Sequence, residues 1–225
     1  MRPTTSSTDV PHFVENGVDD LIRGDIGGNV KGDIGGDRPS RHTPAQLSDS
    51  DYAAALDNLV LTCVDVVFVH QQSVLLVKRA RLPRKSWWMI GGRMVPGESP
   101  RQAAQRKAAS EAGLNLDADR LVFVGVYSTR FAYRHQPPHH HGSHTVNLTY
   151  CIRLTEVEMT QLSFNASEHD GWQWVNYCDV PGLLKVDDPF DQALLTVVKD
   201  VQHVLAIYPS SVWAGNVDTM RVSPD

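Results

Sequence analysis

The side chains best able to do chemistry in this chain fall in two short segments. Residues 91–114, GGRMVPGESPRQAAQRKAASEAGL, carry Glu98, Arg106 and Glu111 on a Gly-Gly loop that runs into a helix. Magnesium takes oxygen ligands in near-octahedral geometry, keeps several waters and shares substrate phosphates. A loop followed by a helix with Glu on one face supplies such oxygens. Positions 107, 110, 111 and 114 stand three or four apart and so share a helix face. Here that face carries Lys107, Ser110, Glu111 and Leu114. An ammonium at 107 can pair with Glu111 one turn on and would repel a second metal. One ion, held by Glu111 and a backbone oxygen near Gly91, stays feasible. The second segment, SEHDGWQWV at 167–175, sets Glu168 beside His169. Histidine titrates near neutrality and suits general-base work, although a lone His in a polar loop ordinarily lies on the surface.

Two further clusters bear on ligands. Lys78, Arg79, Arg81, Arg84 and Lys85, with Arg93 just beyond, make one strongly basic patch suited to a phosphate-bearing small ligand. His135, His139, His140, His141 and His144 invite a zinc reading. Their spacing matches no tight zinc pattern and no cysteine is near. A Pro-flanked mobile loop, acting as a lid or contacting phosphate, is the expectation, with His144 the member facing the site.

These groups must be positioned by regular elements. SDSDYAAALDNL, from residue 48, reads as a short capped helix. LVLTCVDVVFVH is a β-branched run suited to a strand buried on both faces. It forms a hairpin with VLLVKR across the QQS turn. SWWMI is a short aromatic strand ending at Gly91-Gly92, with one Trp in the core and the other free to stack on a base. Ser99 caps the next helix, Pro100 opens it and Gly113 ends it. Residues 121–128, 144–154 and 171–175 read as further strands, and YCDVPGLL as a short helix. Residues 188–208 place Leu194, Val197, Val198, Val201, Val204 and Leu205 on one helical stripe. The class is α+β, a helix–sheet–helix sandwich with a mixed β-sheet.

Bulk properties narrow the function. With 225 residues and 41% hydrophobic side chains, one domain with an appendage is expected. Residues 1–45 are polar, repeat GDIGG, and read as a flexible or loosely docked tail; residues 46–225 form the domain. A net charge of −5 argues against a nucleic-acid binder. No apolar run approaches the roughly 18 residues of a membrane span, and the N-terminus lacks a signal-peptide core. A cytoplasmic protein is expected. Cys63, Cys151 and Cys178 read as buried free thiols.

The 91–114 segment resembles the Nudix box, with Gly92, Glu98, Arg106, Glu111, Gly113 and Leu114 in register and Lys107 and Ser110 where the pattern has carboxylates. The losses resemble the GDP-mannose mannosyl hydrolase branch. That resemblance implies a Nudix fold, Mg2+ (or Mn2+) held by Gly91, Glu111 and Glu168, and His169 as general base. It implies Arg79 and Arg93 on the diphosphate, Arg106 orienting the helix carboxylates, and Glu98 in a structural role. The implied reaction is attack of water at sugar C1 of a nucleotide sugar, releasing the nucleoside diphosphate. Relatives are often dimers, so a homodimer is an option. Ordinary pyrophosphate cleavage and a catalytically silent nucleotide- or protein-binding domain are the alternatives.

Overall fold

The computed structural model describes residues 47–208 apart from 81, 84 and 186. The tail at 1–45 therefore lies outside the described residues, as do Arg81 and Arg84 of the basic patch.

Ser48 caps helix α1 (Asp49–Asn58) by accepting the Asp51 N–H. The strands are β1 (Leu61–His70), β2 (Ser73–Arg79), β3 (Trp87–Trp88), β4 (Ile90–Arg93), β5 (Val122–Phe131), β6 (Ser143–Arg153) and β7 (His169–Asn176). The other helices are α2 (Pro100–Ala112), α3 (Glu156–Gln161), α4 (Val180–Leu183) and α5 (Pro189–Ile207). The seven strands form one sheet in the order β3-β2-β1-β6-β5, with β4 also paired to β1 and β7 to β2. β1 and β6 run parallel while the remaining pairs are antiparallel, so the sheet is mixed.

β1 is buried on both faces because its side chains alternate between two cores. Val66 and Phe68 join the cluster beneath α2, and Val67 and Val69 join the one beneath α5. The α5 stripe of Leu194, Val197, Val198, Val201 and Val204 is buried, at about 1.5–3 kcal/mol for each fully covered side chain. α2 buries mainly alanines: Ala103, Ala104, Ala108 and Ala112. Those methyls let the helix approach the sheet closely but cover little area, and polar ties anchor it as well. Arg101 donates to the carbonyls of Ala118 and Leu121, and Gln105 Nε2 to that of Leu116 at 2.7 Å.

The ends of α2 are set by local chemistry. Ser99 and Gln102 form a reciprocal capping box, Pro100 opens the first turn, and Gly113 closes the helix at φ 70°. The aromatic segment differs from expectation. It divides into β3 and β4, and β4 continues through Gly91-Gly92 because it pairs with Cys63–Val66 of β1. α3 adds an element beyond those expected from residue pattern, and Thr155 and Glu158 form its capping box. Cys63 and Cys151 are buried free thiols as expected, whereas Cys178 is exposed.

Candidate active site

Alternate residues on three strands open a cavity of about 430 Å³ at one end of the sheet. β1 contributes Leu61, Cys63 and Asp65, β6 contributes Ser143, Thr145 and Asn147, and β5 contributes Thr129 and Phe131. In β1 the same alternation continues as Val67 and Val69 into the core under α5. Arg79, Arg93, Lys107, Glu111, Glu168 and His169 complete one wall. The two short segments singled out by their chemistry therefore meet, together with both arginines.

Gly91 sits where only hydrogen fits. A Cβ there would lie 2.2 Å from Asp65 Oδ1 and 2.4 Å from the Val64 carbonyl oxygen. Beyond the glycines, Arg106 grips Glu98 in a fork, Nε to Oε2 at 2.8 Å and Nη2 to Oε1 at 2.6 Å. Its Nη2 also donates to the Arg93 carbonyl at 3.0 Å, and Glu98 Oε1 accepts the Val95 N–H. Burial would raise the Glu98 pKa, but these bonds outweigh it and hold the carboxyl below its usual range. Arg106 thus ties α2 to the end of β4. Its hydrogen bonds go to Glu98 and backbone, not to the carboxylate of its own helix.

Glu111 is 6% exposed and doubly engaged. Its Oε1 pairs with Lys107 Nζ, and its Oε2 meets His169 Nε2 at 3.1 Å. Burial alone would raise its pKa; the His169 bond and the Lys107 charge reverse the sign and keep it ionised. His169 is the first residue of β7 and stands opposite Arg79 of β2. Its other ring nitrogen, Nδ1, is buried with no hydrogen-bond partner. Glu168 lines the cavity, and its carbonyl accepts the Ala80 N–H at 3.0 Å, which holds the 165–169 turn against the end of β2.

Several lining residues lie outside both motif segments. Asp65 is 4% exposed and accepts a 2.7 Å bond from Asn147 Nδ2. Burial lifts its carboxyl to about 6, against the opposing pull of Asn147, Arg79 and a Trp88 hydrogen bond. The signal that could have found both residues is a polar interruption in an apolar strand, LTCVDVVFV and HTVNLTY. Trp88, not Trp87, lines the cavity. Tyr52 of α1 lies under the Arg93 guanidinium, 4.9 Å from ring centroid to Cζ. Cys63 lines the cavity too, but burial raises its thiol to about 12, so it stays protonated and is no nucleophile.

His144 does not line the cavity. Strand alternation points Ser143, Thr145 and Asn147 inward, so His144 faces the other way and bonds Ser128 Oγ at 2.8 Å. The His-rich loop is pinned rather than loose. Arg134, 2% exposed, makes a forked pair with Asp57 of α1 at 2.7 and 3.2 Å and also donates to the Gly142 carbonyl. His141 Nδ1 adds a 3.0 Å contact to Asp57. His135 and Gln136 of this loop reach the cavity.

Residues 61–197 match the NUDIX domain family, and this chain belongs to it. Among curated relatives, "8-oxo-dGDP phosphatase NUDT18" of Homo sapiens is 34% identical over 84 residues, 36% of this chain and 26% of that protein. The "RNA pyrophosphohydrolase" of Yersinia pestis (strain Pestoides F) is 29% identical over 124 residues, 51% of this chain and 68% of that protein. Neither carries the name of the GDP-mannose mannosyl hydrolase branch, so the placement reached is the family. The crystal structure of a MutT NUDIX hydrolase from Burkholderia pseudomallei shares the fold, with a TM-score of 0.50 at 19% identity, covering 64% of this chain and 99% of that one.

Nudix hydrolases generally use divalent ions such as Mg2+. The donor set here, as arranged, does not fit one. Both oxygens of Glu111 are taken, one of them by an ammonium. Among the described residues, no group of three or more His, Cys, Asp or Glu is gathered to hold a metal ion. No helix among them is long and apolar enough to cross a membrane.

Proposed function

We propose that this chain hydrolyses a nucleoside diphosphate derivative, a nucleotide sugar, by attack of water at sugar C1. The observation that carries this reading is the Glu111–His169 pair at 3.1 Å, with the far ring nitrogen of His169 unpartnered. A carboxylate accepting from Nε2–H fixes the imidazole tautomer and leaves the lone pair on Nδ1. On this reading Nδ1, a buried atom, takes a proton from a water admitted with the substrate as the water oxygen bonds to C1. The C1–O bond breaks, its electron pair leaves with the diphosphate, and Arg79, Arg93 and Lys107 carry the developing charge. Asp65, Asn147 and Trp88 form the floor beside the glycines. No step runs through a metal ion, because the carboxylate expected to anchor Mg2+ is already paired. The substrate is a small molecule; a homodimer is not needed for any step.

A second reading, attack at phosphorus, is favoured by the two relatives, named as a phosphatase and a pyrophosphohydrolase. Turnover of a nucleotide-sugar panel in oxygen-18 water separates the two. Label in the released sugar supports attack at carbon, and label in a phosphate product overturns it. Ligand binding with no turnover of any panel member, with Mg2+, Mn2+ or EDTA, removes the enzymatic reading and leaves a binding domain.

A further inference from the structure

The position expected to hold a metal already holds a cation that belongs to the chain. Two independent contacts put Lys107 there. Its Nζ pairs with Glu111 Oε1. The same side chain lies over Gly92, where a Cβ would stand 3.0 Å from Cε and 3.1 Å from Nζ. The lysine is therefore lodged between Gly92 and the Glu111 carboxylate, beside Gly91 in the chain; Gly91 and Glu111 are two of the three residues, with Glu168, expected from the sequence to hold a magnesium ion. It is not a surface ion pair: the two side chains are 18% and 8% exposed. Gly92 permits the approach because it has no side chain, and the helix periodicity one turn before Glu111 delivers the ammonium to it. A divalent ion bound to the same oxygen would meet this ammonium at contact distance, where like charges repel in a poorly solvated site.

We infer that Lys107 is the resident cation of this site. It takes the place of a divalent ion on Glu111, so that a diphosphate is held by Lys107, Arg79 and Arg93 without a metal. Arg79 and Arg93 line the same cavity wall, and the Tyr52 ring supports the Arg93 guanidinium. An ammonium is a compact point charge with three donors and serves phosphate oxygens well. The second half of the inference rests on the nucleoside diphosphate reading; the first half does not.

Titration of the full chain with Mn2+ alone, followed by the electron paramagnetic resonance of free Mn2+, tests the first half. Wild type should show no stoichiometric site. Lys107→Met, neutral and of similar length, should bind one Mn2+ at least about tenfold more tightly, and adding Glu111→Gln should remove that site. A wild-type chain that binds one stoichiometric Mn2+ as tightly as Lys107→Met overturns the assignment. If the variant does not fold, stoichiometric binding by wild type alone overturns it. Calorimetry with ADP, GDP, CDP and UDP tests the second half. One of them should bind wild type equally with EDTA or Mn2+, and more weakly in Lys107→Met with EDTA. Binding that requires Mn2+ overturns metal-free capture. If none binds in either condition while the Mn2+ result holds, the ligand class falls and the cation assignment stands.

Discussion

Asp65→Asn isolates the electrostatic strain built into the cavity floor. The carboxyl lies 4% exposed on a central strand, and burial raises its pKa from 3.8 to about 6. A rise of that size corresponds to about 3 kcal/mol between the protonated and ionised forms. The folded value lies above the unfolded one. The native state therefore holds the proton more tightly, and the resulting stabilisation is complete below 3.8 and lost as pH rises through about 6. Asparagine is nearly isosteric, stays neutral throughout, and can keep the Asn147 bond. Any fixed cost, such as a weakened Trp88 contact, does not vary with pH. The stability of the variant minus that of wild type should thus climb by about 1–3 kcal/mol from pH about 4 to about 7. Urea unfolding of both proteins across that range, read by tryptophan fluorescence, measures the difference. A difference that stays flat refutes the reasoning: it would mean that Arg79 and the polar bonds compensate the buried charge fully.

Three other perturbations probe separate parts of the site. His169→Ala should lower turnover by about 100-fold or more, as expected for loss of a general base, with the fold retained by circular dichroism; an unchanged rate removes His169 from the chemistry. Gly91→Ala forces a Cβ to within 2.2 Å of Asp65 Oδ1 and should destabilise by about 1–3 kcal/mol, whereas Gly171→Ala, with no atom within 4 Å, should fall within about 0.5 kcal/mol of wild type in the same melts. Asp57→Asn removes the carboxylate that holds Arg134, so amide exchange across residues 132–142 should quicken. The Arg134 and His141 hydrogen bonds hold the Asp57 pKa below 3.8, so in wild type the same loosening should appear only as pH falls through that lowered value. Exchange rates identical in both proteins would show that the loop is held by other contacts.

Local chemistry is readable from the residues alone. Ser99, Pro100 and Gly113 bound α2 because capping and left-handed closure are settled within a few residues. The burial of β1 and the α5 stripe follow from periodicity for the same reason. The Lys107–Glu111 pair is legible too, since two residues one helical turn apart can meet. His144 departs from expectation because its face depends on strand alternation relative to a cavity that the sequence does not display. The Pro and His content of the loop it borders suggests mobility, but Arg134 finds its partner in Asp57, on a helix far away in sequence.

Residue type and short-range spacing suffice for the α+β class, the NUDIX motif, and the departure of Lys107 and Ser110 from that motif. The full set of contacts around Glu111 depends on the tertiary fold. Parallel pairing of β1 with β6 sets Asn147 against Asp65, and the β2–β7 ladder sets His169 beside Arg79 and within reach of Glu111. These contacts join residues far apart in the chain, and no local propensity encodes them. They arise because both faces of one sheet had to be covered, and the end of it that α5 leaves open became the site.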